Sequence, residues 1–153
     1  MINFSHLEIQ YRQFKEQDLV HIAEIEKMCF AEPWSLKALQ DFVKHPTNHI
    51  LVANHCNKRI AGYITYSTVL DEVQIANIAV HEDYRRRKIG QDLLKTLYSN
   101  AIISGMKVIT LEVRESNAPA IALYEKCKYA TVGRRKHFYS DPKEDAILMN
   151  LNL

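Results

Sequence analysis

Apolar and polar residues alternate over several short runs, which predicts strands, and recur at helical spacing in the stretches between them. The predicted strands are residues 7–14, 49–54, 59–69, 72–80, 107–113, 129–139 and 144–152. Helical spacing follows Asp18 and Ser35, each expected to cap a helix, and recurs at about residues 89–104 and 117–127. The order β α α β β β α β α β β predicts an α/β (α+β) fold, in which four helices flank a twisted, mixed but mostly antiparallel sheet of about seven strands.

Composition limits the classes of protein to consider. The 153 residues, 47% of them hydrophobic, are enough for one domain with its own core, so residues 1–153 are expected to form a single domain. A net charge of +2 gives little reason to expect direct contact with nucleic acid. Three widely spaced cysteines favour a reducing cytoplasm. We expect no membrane association, because no apolar run approaches ~18 residues and residues 1–14 lack a secretory signal.

The stretch from 111 to 124, LEVRESNAPAIALY, places a carboxylate and a phenol at one strand–helix junction. Glu112 lies within an otherwise apolar run, where a carboxylate is costly unless it is used or paired. Tyr124 follows in the next helix. The pair is typical of acid–base chemistry. Two alternatives stay open: an ion pair between Glu112 and Arg114, and a purely structural role for Tyr124 in the core.

A basic turn runs directly into the helix predicted at 89–104. Residues 85–88 are Arg-Arg-Arg-Lys, and Gly90 follows them. A helix start offers unpaired N–H groups and a positive dipole end, so this turn suits a phosphate. The segment has neither a Walker A loop nor a Rossmann glycine pattern. The alternative is a solvated basic turn.

Together these segments resemble the GNAT superfamily of acyl-CoA-dependent N-acetyltransferases, whose signature is R/Q-x-x-G-x-G/A. Arg85, Ile89 and Gly90 match it, while Lys88 replaces the first glycine. Within the superfamily, residues 77–80, 84–90, 111–124 and 144–149 are similar to the bacterial ribosomal-protein-alanine N-acetyltransferases. A second departure is Cys127-Lys128-Tyr129, where that family usually has Gly-Phe after the tyrosine helix.

The resemblance implies a GNAT-like sheet and a direct transfer of the acetyl group of acetyl-CoA. Glu112 would accept a proton and Tyr124 would donate one. The residues implied to hold the cofactor are Ile78, Ala79 and Val80 along the pantetheine arm, Arg85, Arg86, Arg87, Lys88, Ile89, Gly90 and Gln91 at the pyrophosphate, and Asn117. Trp34, in FAEPWS, would lie beside the bound peptide; a hydrophobic plug under the next helix is the alternative.

The implied acceptor is the N-terminal alanine of a ribosomal protein, protein eighteen of the small subunit. A GNAT enzyme for a lysine side chain or a small amine is the first alternative. A non-catalytic module that binds acyl-CoA or nucleic acid is the second. No metal is expected, because His45, His49 and His55 lack the spacing of a ligand set and are predicted to be surface histidines.

Overall fold

The computed structural model describes residues 8–56 and 59–153, and the elements follow the predicted order. The helices are α1 (Asp18–Cys29), α2 (Leu36–Lys44), α3 (Ile89–Ile103) and α4 (Ala118–Lys126). The strands are β1 (Ile9–Gln13), β2 (Asn48–His55), β3 (Arg59–Val69), β4 (Glu72–Val80), β5 (Val108–Arg114), β6 (Ala130–Ser140) and β7 (Lys143–Asn152). None of the helices in the described part has the length and apolar content required to cross a bilayer. The three cysteines, all in that part, form no disulfide.

The strands form one sheet in the order β1-β2-β3-β4-β5-β7-β6. Strands β4 and β5 are parallel, and their connection passes through α3, as a parallel pair requires. The pairs β1–β2, β5–β7 and β6–β7 are antiparallel. The predicted fold class, a mixed seven-stranded sheet with four helices, is confirmed. The β4–β5 ladder pairs Glu72–Ile75 with Val108–Leu111 and therefore stops one residue before Glu112.

Helix starts show where the sequence prediction succeeded and failed. Ser35 caps α2, its side chain accepting a hydrogen bond from the Ala38 N–H at 3.1 Å. The prediction that Asp18 caps α1 is wrong, because the N-cap is Gln17 and Asp18 is already helical. The Asp18 carboxylate instead pairs with Arg12 at 2.7 Å. The first residue of the strand predicted at 7–14, and half of the segment searched for a secretory signal, lie outside the described residues.

The chain divides into two compact units, and the prediction of a single domain over residues 1–153 stays a prediction. The first unit comprises the described residues up to Thr65 together with Asn77–Leu93. Its core packs α1 and α2 against β2 and β3. Gly62 allows β3 to lie close to β4, since a Cβ at this position would come within 2.9 Å of the Ala79 carbonyl oxygen.

The second unit comprises Tyr66–Ala76 and Leu94–Leu153. Along β5, buried and half-buried residues alternate with the period of two expected for a strand. Ile109, Leu111 and Val113 enter the core, so Glu112 lies on the opposite, partly exposed face. The carboxylate therefore interrupts the apolar run in sequence without entering the apolar core.

Candidate functional site

The basic turn in the first unit joins β4 to α3. A single 3₁₀ turn (Glu82–Tyr84) follows the strand, and α3 begins at Ile89 with a hydrogen bond from the Asp92 N–H to the Lys88 carbonyl at 2.9 Å. The backbone N–H groups of the first helical residues therefore have no hydrogen-bond acceptor within the helix. Arg86 and Lys88 adopt left-handed backbone, with φ of 63° and 61°. Left-handed residues in a turn are components of the backbone nests that bind anions.

The four cations of the turn are not equivalent. Arg86 and Lys88 are exposed and Arg87 is half-buried. The Arg85 guanidinium turns back toward the strand and donates to the Val80 carbonyl and the Cys29 Sγ, each at 3.4 Å. Arg85 is also exposed, but because its guanidinium is directed to the strand, the exposed charge beside the start of α3 comes from Arg86 and Lys88.

The strand before the turn, Ile78–Val80, directs its residues to two faces. Ala79 is buried in the core, while Ile78 and Val80 are half-buried on the other face. Asn77, directly before these residues, donates its backbone N–H to the Thr65 Oγ1 at 3.0 Å. Contact of this segment with a pantetheine arm stays a prediction.

Trp34 precedes α2 and is partly buried against the core of the first unit. Its ring lies 5.2 Å from that of Phe42, centroid to centroid. Trp34 therefore takes part in core packing, as the hydrophobic-plug alternative predicts. Contact between Trp34 and a peptide stays a prediction.

Glu112 lies in the second unit, in an open groove of about 530 Å³. Its side chain is 33% exposed and faces Arg135 of β6, with 3.7 Å between Glu112 Oε1 and the guanidinium. Thr110 and Leu148 line the same groove. A carboxylate at this position is open to water and can exchange a proton with a solute in the groove.

The ion pair proposed as the alternative for Glu112 does not form with Arg114. Arg114 pairs with Glu144 at 3.3 Å and donates to the Pro142 carbonyl at 2.9 Å. Arg114 therefore holds the turn between β6 and β7. The charge that approaches Glu112 comes instead from Arg135, 59% of whose side chain is exposed.

Tyr124 occupies the last turns of α4 and is 5% exposed. Burial raises the pKa of its hydroxyl well above the usual value near 10, and the nearby Tyr139 adds to this effect. Tyrosine is protonated at neutral pH even with its ordinary pKa near 10, and burial strengthens this preference for Tyr124. This is the protonation state that a proton donor requires, whereas a base would need the opposite.

Tyr139 is a candidate that the sequence interpretation missed. Burial and the charge of Glu112 raise its pKa, and Tyr139 in turn raises the pKa of Tyr124. The Arg114 guanidinium stacks 4.2 Å above its ring. Tyr139 is thus electrostatically linked to both predicted catalytic residues, although it lies near the end of β6, the strand that follows α4. The aromatic pair before the Asp141–Pro142 turn was the only indication in the sequence.

The two departures from the resemblance occupy special backbone positions. Lys88 and Lys128, which stand where glycines are usual, both have positive φ, 61° and 75°. Asn117 caps α4, its Oδ1 accepting from the Ala120 N–H at 3.3 Å. Asn117 thus has a structural role, and its contact with the cofactor stays a prediction.

The three predicted surface histidines have separate partners. His45 Nδ1 lies 2.7 Å from the Thr47 hydroxyl, and His55 Nδ1 lies 2.6 Å from the Tyr84 hydroxyl. Burial lowers the pKa of His49. Over residues 8–56 and 59–153, no group of three His, Cys, Asp or Glu side chains is arranged to hold a metal ion.

Comparison with known proteins identifies the class. The family model "Acetyltransferase (GNAT) family" matches residues 19–129. This chain is 36% identical over 136 residues to [ribosomal protein bS18]-alanine N-acetyltransferase of Escherichia coli K12, covering 88% of this chain and 90% of that protein. The corresponding Haemophilus influenzae protein is 33% identical over 140 residues, with 90% and 94% covered.

Solved structures agree. The E. coli ribosomal-protein-S18-alanine N-acetyltransferase superposes with a TM-score of 0.86 at 33% identity, covering 95% of this chain and 94% of that one. Ard1 from Thermoplasma volcanium, at 24% identity and a TM-score of 0.85, covers 95% and 97% and shares the fold. The chain belongs to the GNAT family of acetyltransferases.

Proposed function

We propose that this enzyme transfers the acetyl group of acetyl-CoA to the N-terminal alanine of the small-subunit ribosomal protein bS18. The observations that carry the chemistry are a partly exposed carboxylate, Glu112, in a groove and a buried phenol, Tyr124, with Tyr139 as an electrostatic neighbour of both. The acceptor is supported by the identity to the E. coli enzyme over most of both chains. An acceptor on the ribosome would place the reaction in the cytoplasm.

Glu112 is the proposed base. An α-amine has a pKa near ~8, so at neutral pH most of it is protonated and must lose a proton before it attacks. The Glu112 carboxylate accepts this proton, directly or through a water in the groove. The amine nitrogen then forms the amide bond to the acetyl carbon as the carbon–sulfur bond breaks. The second proton that the nitrogen loses is released to water, from which Tyr124 regains the proton that it gives to the sulfur.

Tyr124 is the proposed acid. The departing thiolate has an ordinary pKa of roughly 8.5 and is stabilised by gaining a proton. The Tyr124 hydroxyl, which is protonated at neutral pH, donates that proton to the sulfur. Glu112 raises the pKa of Tyr139, and Tyr139 raises the pKa of Tyr124, so Tyr139 is the proposed electrostatic link between the two.

The basic turn is the proposed site for the pyrophosphate of acetyl-CoA, which supplies the activated acetyl group. Backbone N–H groups at the start of α3 and the exposed cations Arg86 and Lys88 are the donors that suit a diphosphate. Lys88 keeps the left-handed conformation that a glycine would adopt and adds a charge. The departure from the signature is thus compatible with phosphate binding.

Acetyl-CoA turnover, read as released thiol, tests the proposal. The acceptors are a peptide that begins with alanine, the same peptide with its α-amine blocked, a lysine-containing peptide with a blocked N-terminus, and a small amine. We expect the alanine-initiated peptide to be used far better than the others. Equal use of the blocked peptide would refute N-terminal transfer, and a preference for lysine or the small amine would replace the acceptor. No thiol release with any acceptor would favour a non-catalytic binding module.

A further inference from the structure

Glu26, in the middle of α1, is a fully buried carboxylate outside the proposed acid–base pair. Its residue exposure is 0%, and the core residues Ile22, Ile25 and Leu39 belong to the same unit. A buried carboxylate is costly unless hydrogen bonds replace its hydration. The partners of Glu26 therefore indicate what its burial achieves.

Those partners come from three other parts of the first unit. Glu26 Oε1 accepts a hydrogen bond from Asn77 Nδ2 at 2.9 Å. Burial raises the pKa of Glu26, and the backbone N–H of Trp34, which lies near the carboxylate, offsets part of this rise, although Glu26 Oε2 has no well-formed hydrogen bond within the described residues. The Tyr63 hydroxyl lies close to Glu26 without forming a well-aligned hydrogen bond. One side chain on α1 thus faces β4, β3 and the segment before α2.

Asn77 is the first of two partners that lie next to a proposed substrate-binding segment. Its own backbone N–H donates to the Thr65 Oγ1 on β3 at 3.0 Å. The next residues, Ile78–Val80, are the proposed pantetheine strand. By holding the Asn77 side chain, Glu26 fixes the residue that directly precedes this segment.

Trp34 is the second such partner. It lies in the segment proposed to contact the acceptor peptide, and its ring packs on Phe42. The Trp34 N–H is close enough to the Glu26 carboxylate to offset part of the rise in its pKa that burial causes, so this segment lies beside Glu26 in the first unit. The same carboxylate therefore reaches both the donor strand and the acceptor segment.

We propose that Glu26 is a positioning residue, which ties the donor strand at Asn77 to the acceptor segment at Trp34 so that both substrates are held in register. This role rests on the proposed function. Misplacement of reacting groups by about 1 Å can lower a rate by roughly 10²-fold. A side chain that spans both binding segments is therefore expected to influence kcat and both KM values.

Two substitutions of Glu26 test the role. Glu26→Leu replaces the carboxylate by an apolar side chain of similar size and so removes the acceptor oxygen. We expect kcat to fall by roughly tenfold and the KM values for donor and acceptor to rise. Glu26→Gln retains an oxygen for Asn77 Nδ2, and we expect kcat within about threefold of the wild type. Wild-type kcat and KM in folded Glu26→Leu would overturn the proposal.

Asp18→Asn is the matched control. Asp18 is also a buried carboxylate on α1, but its partners are Arg12 and the Lys15 N–H. Its loss should lower the melting temperature and leave kcat per folded molecule unchanged. An equal kinetic loss in Asp18→Asn would mean that any destabilisation of α1 has this effect, which also overturns the proposal.

Asn77→Ala tests the same tie from β4 if Glu26→Leu does not fold. We expect it to reproduce the rise in KM for acetyl-CoA, and wild-type kinetics would overturn the proposal. Calorimetric titration with acetyl-CoA alone separates this proposal from the proposed function. If the alanine peptide is not a substrate, the weaker binding of acetyl-CoA by Asn77→Ala still supports the Glu26 role, and unchanged binding refutes it.

Discussion

Glu26 and Glu112 are carboxylates in opposite surroundings. Glu26 is sealed in the core of the first unit and bonded to Asn77, while Glu112 stands in an open groove of the second unit and faces Arg135. Burial raises the pKa of Glu26. A sealed carboxylate cannot exchange protons with a substrate, but it can hold backbone segments together. An exposed one can take up a proton and has little structural value.

Side-chain exposure distinguishes a structural carboxylate from one available for proton transfer better than an apolar sequence context does. Both glutamates interrupt apolar residues in the sequence, IAEIEK at α1 and ITLEVR at β5. Only the three-dimensional exposure shows which of them is available for proton transfer. Substitutions at the two regions should therefore give opposite patterns of kinetic and structural change.

Glu112→Gln should give the largest kinetic effect. The amide cannot accept the proton of the attacking amine, so we expect turnover to fall on the order of 10² with little change in stability. Steady-state thiol release measures the rate, and circular dichroism checks the fold. Glu26→Gln is the matched comparison and should stay near the wild-type rate. The contrast is lost if the two variants have equal turnover.

Two tyrosines in ring contact extend the comparison. Tyr124 and Tyr129 lie 5.7 Å apart, centroid to centroid, and both are buried. Tyr124→Phe should lower kcat between about tenfold and a hundredfold, because the thiolate loses its proton donor while remaining a fair leaving group.

Tyr129→Phe is the control for that variant. Its hydroxyl is buried, with no hydrogen-bond partner among the described residues, so removing it should leave kcat unchanged and raise stability by about 1 kcal/mol. Urea unfolding measures the stability. A kinetic loss in Tyr129→Phe equal to that in Tyr124→Phe would mean that both tyrosines have only a structural role.

The pH dependence of stability should distinguish the two buried carboxylates of α1. Arg12 and the Lys15 N–H hold the pKa of Asp18 below its usual 3.8 despite burial, so Asp18 stabilises the fold above that pH and loses this contribution as pH falls. Asp18→Asn should therefore cost about 1.5 kcal/mol at neutral pH and less in acid.

The contribution of Glu26 to stability has the opposite pH dependence. Because its pKa in the folded state is raised above 4.5, its ionisation reduces stability progressively as pH rises through the interval between the two values. Relative to the wild type, Glu26→Gln should gain stability as pH rises above 4.5. Urea titrations at several pH values measure both trends. A Glu26→Gln difference that is independent of pH would contradict the assignment.

The smallest effects are expected at the two left-handed lysines. Lys88→Gly and Lys128→Gly should each raise stability by about 1 kcal/mol, since glycine adopts positive φ without the steric cost of a Cβ. Only Lys88→Gly should also weaken binding of acetyl-CoA, because it removes a cation from the proposed phosphate site. Calorimetry compares the two affinities. Equal affinities would leave Lys88 without a role in binding.

Local pattern was enough for much of this fold. Alternation in β5 and β7, helical spacing in α3 and the Ser35 cap depend on neighbours in the sequence, so the element order and the mixed sheet were predicted correctly. Asp18 was misassigned because its carboxylate accepts hydrogen bonds from Arg12 on β1 and from the Lys15 N–H in the segment that follows β1.

The candidate site was only partly accessible to the same reasoning. The basic turn and the Glu112–Tyr124 junction were recognised because each lies within one short segment. Tyr139 and Glu26 were missed because their meaning depends on partners in other segments. Asn77, for example, is 51 residues away from Glu26.

The sequence by itself determined the order of the elements, the faces they bury, the basic turn and the family to which the chain belongs, because period and short motifs are local properties. The tertiary structure alone decided that Glu112 is partly exposed and faces Arg135, that burial raises the pKa of Tyr124, and that Glu26 is buried against Asn77. Exposure, ion pairing and pKa depend on which distant residues meet, and folding brings those residues together.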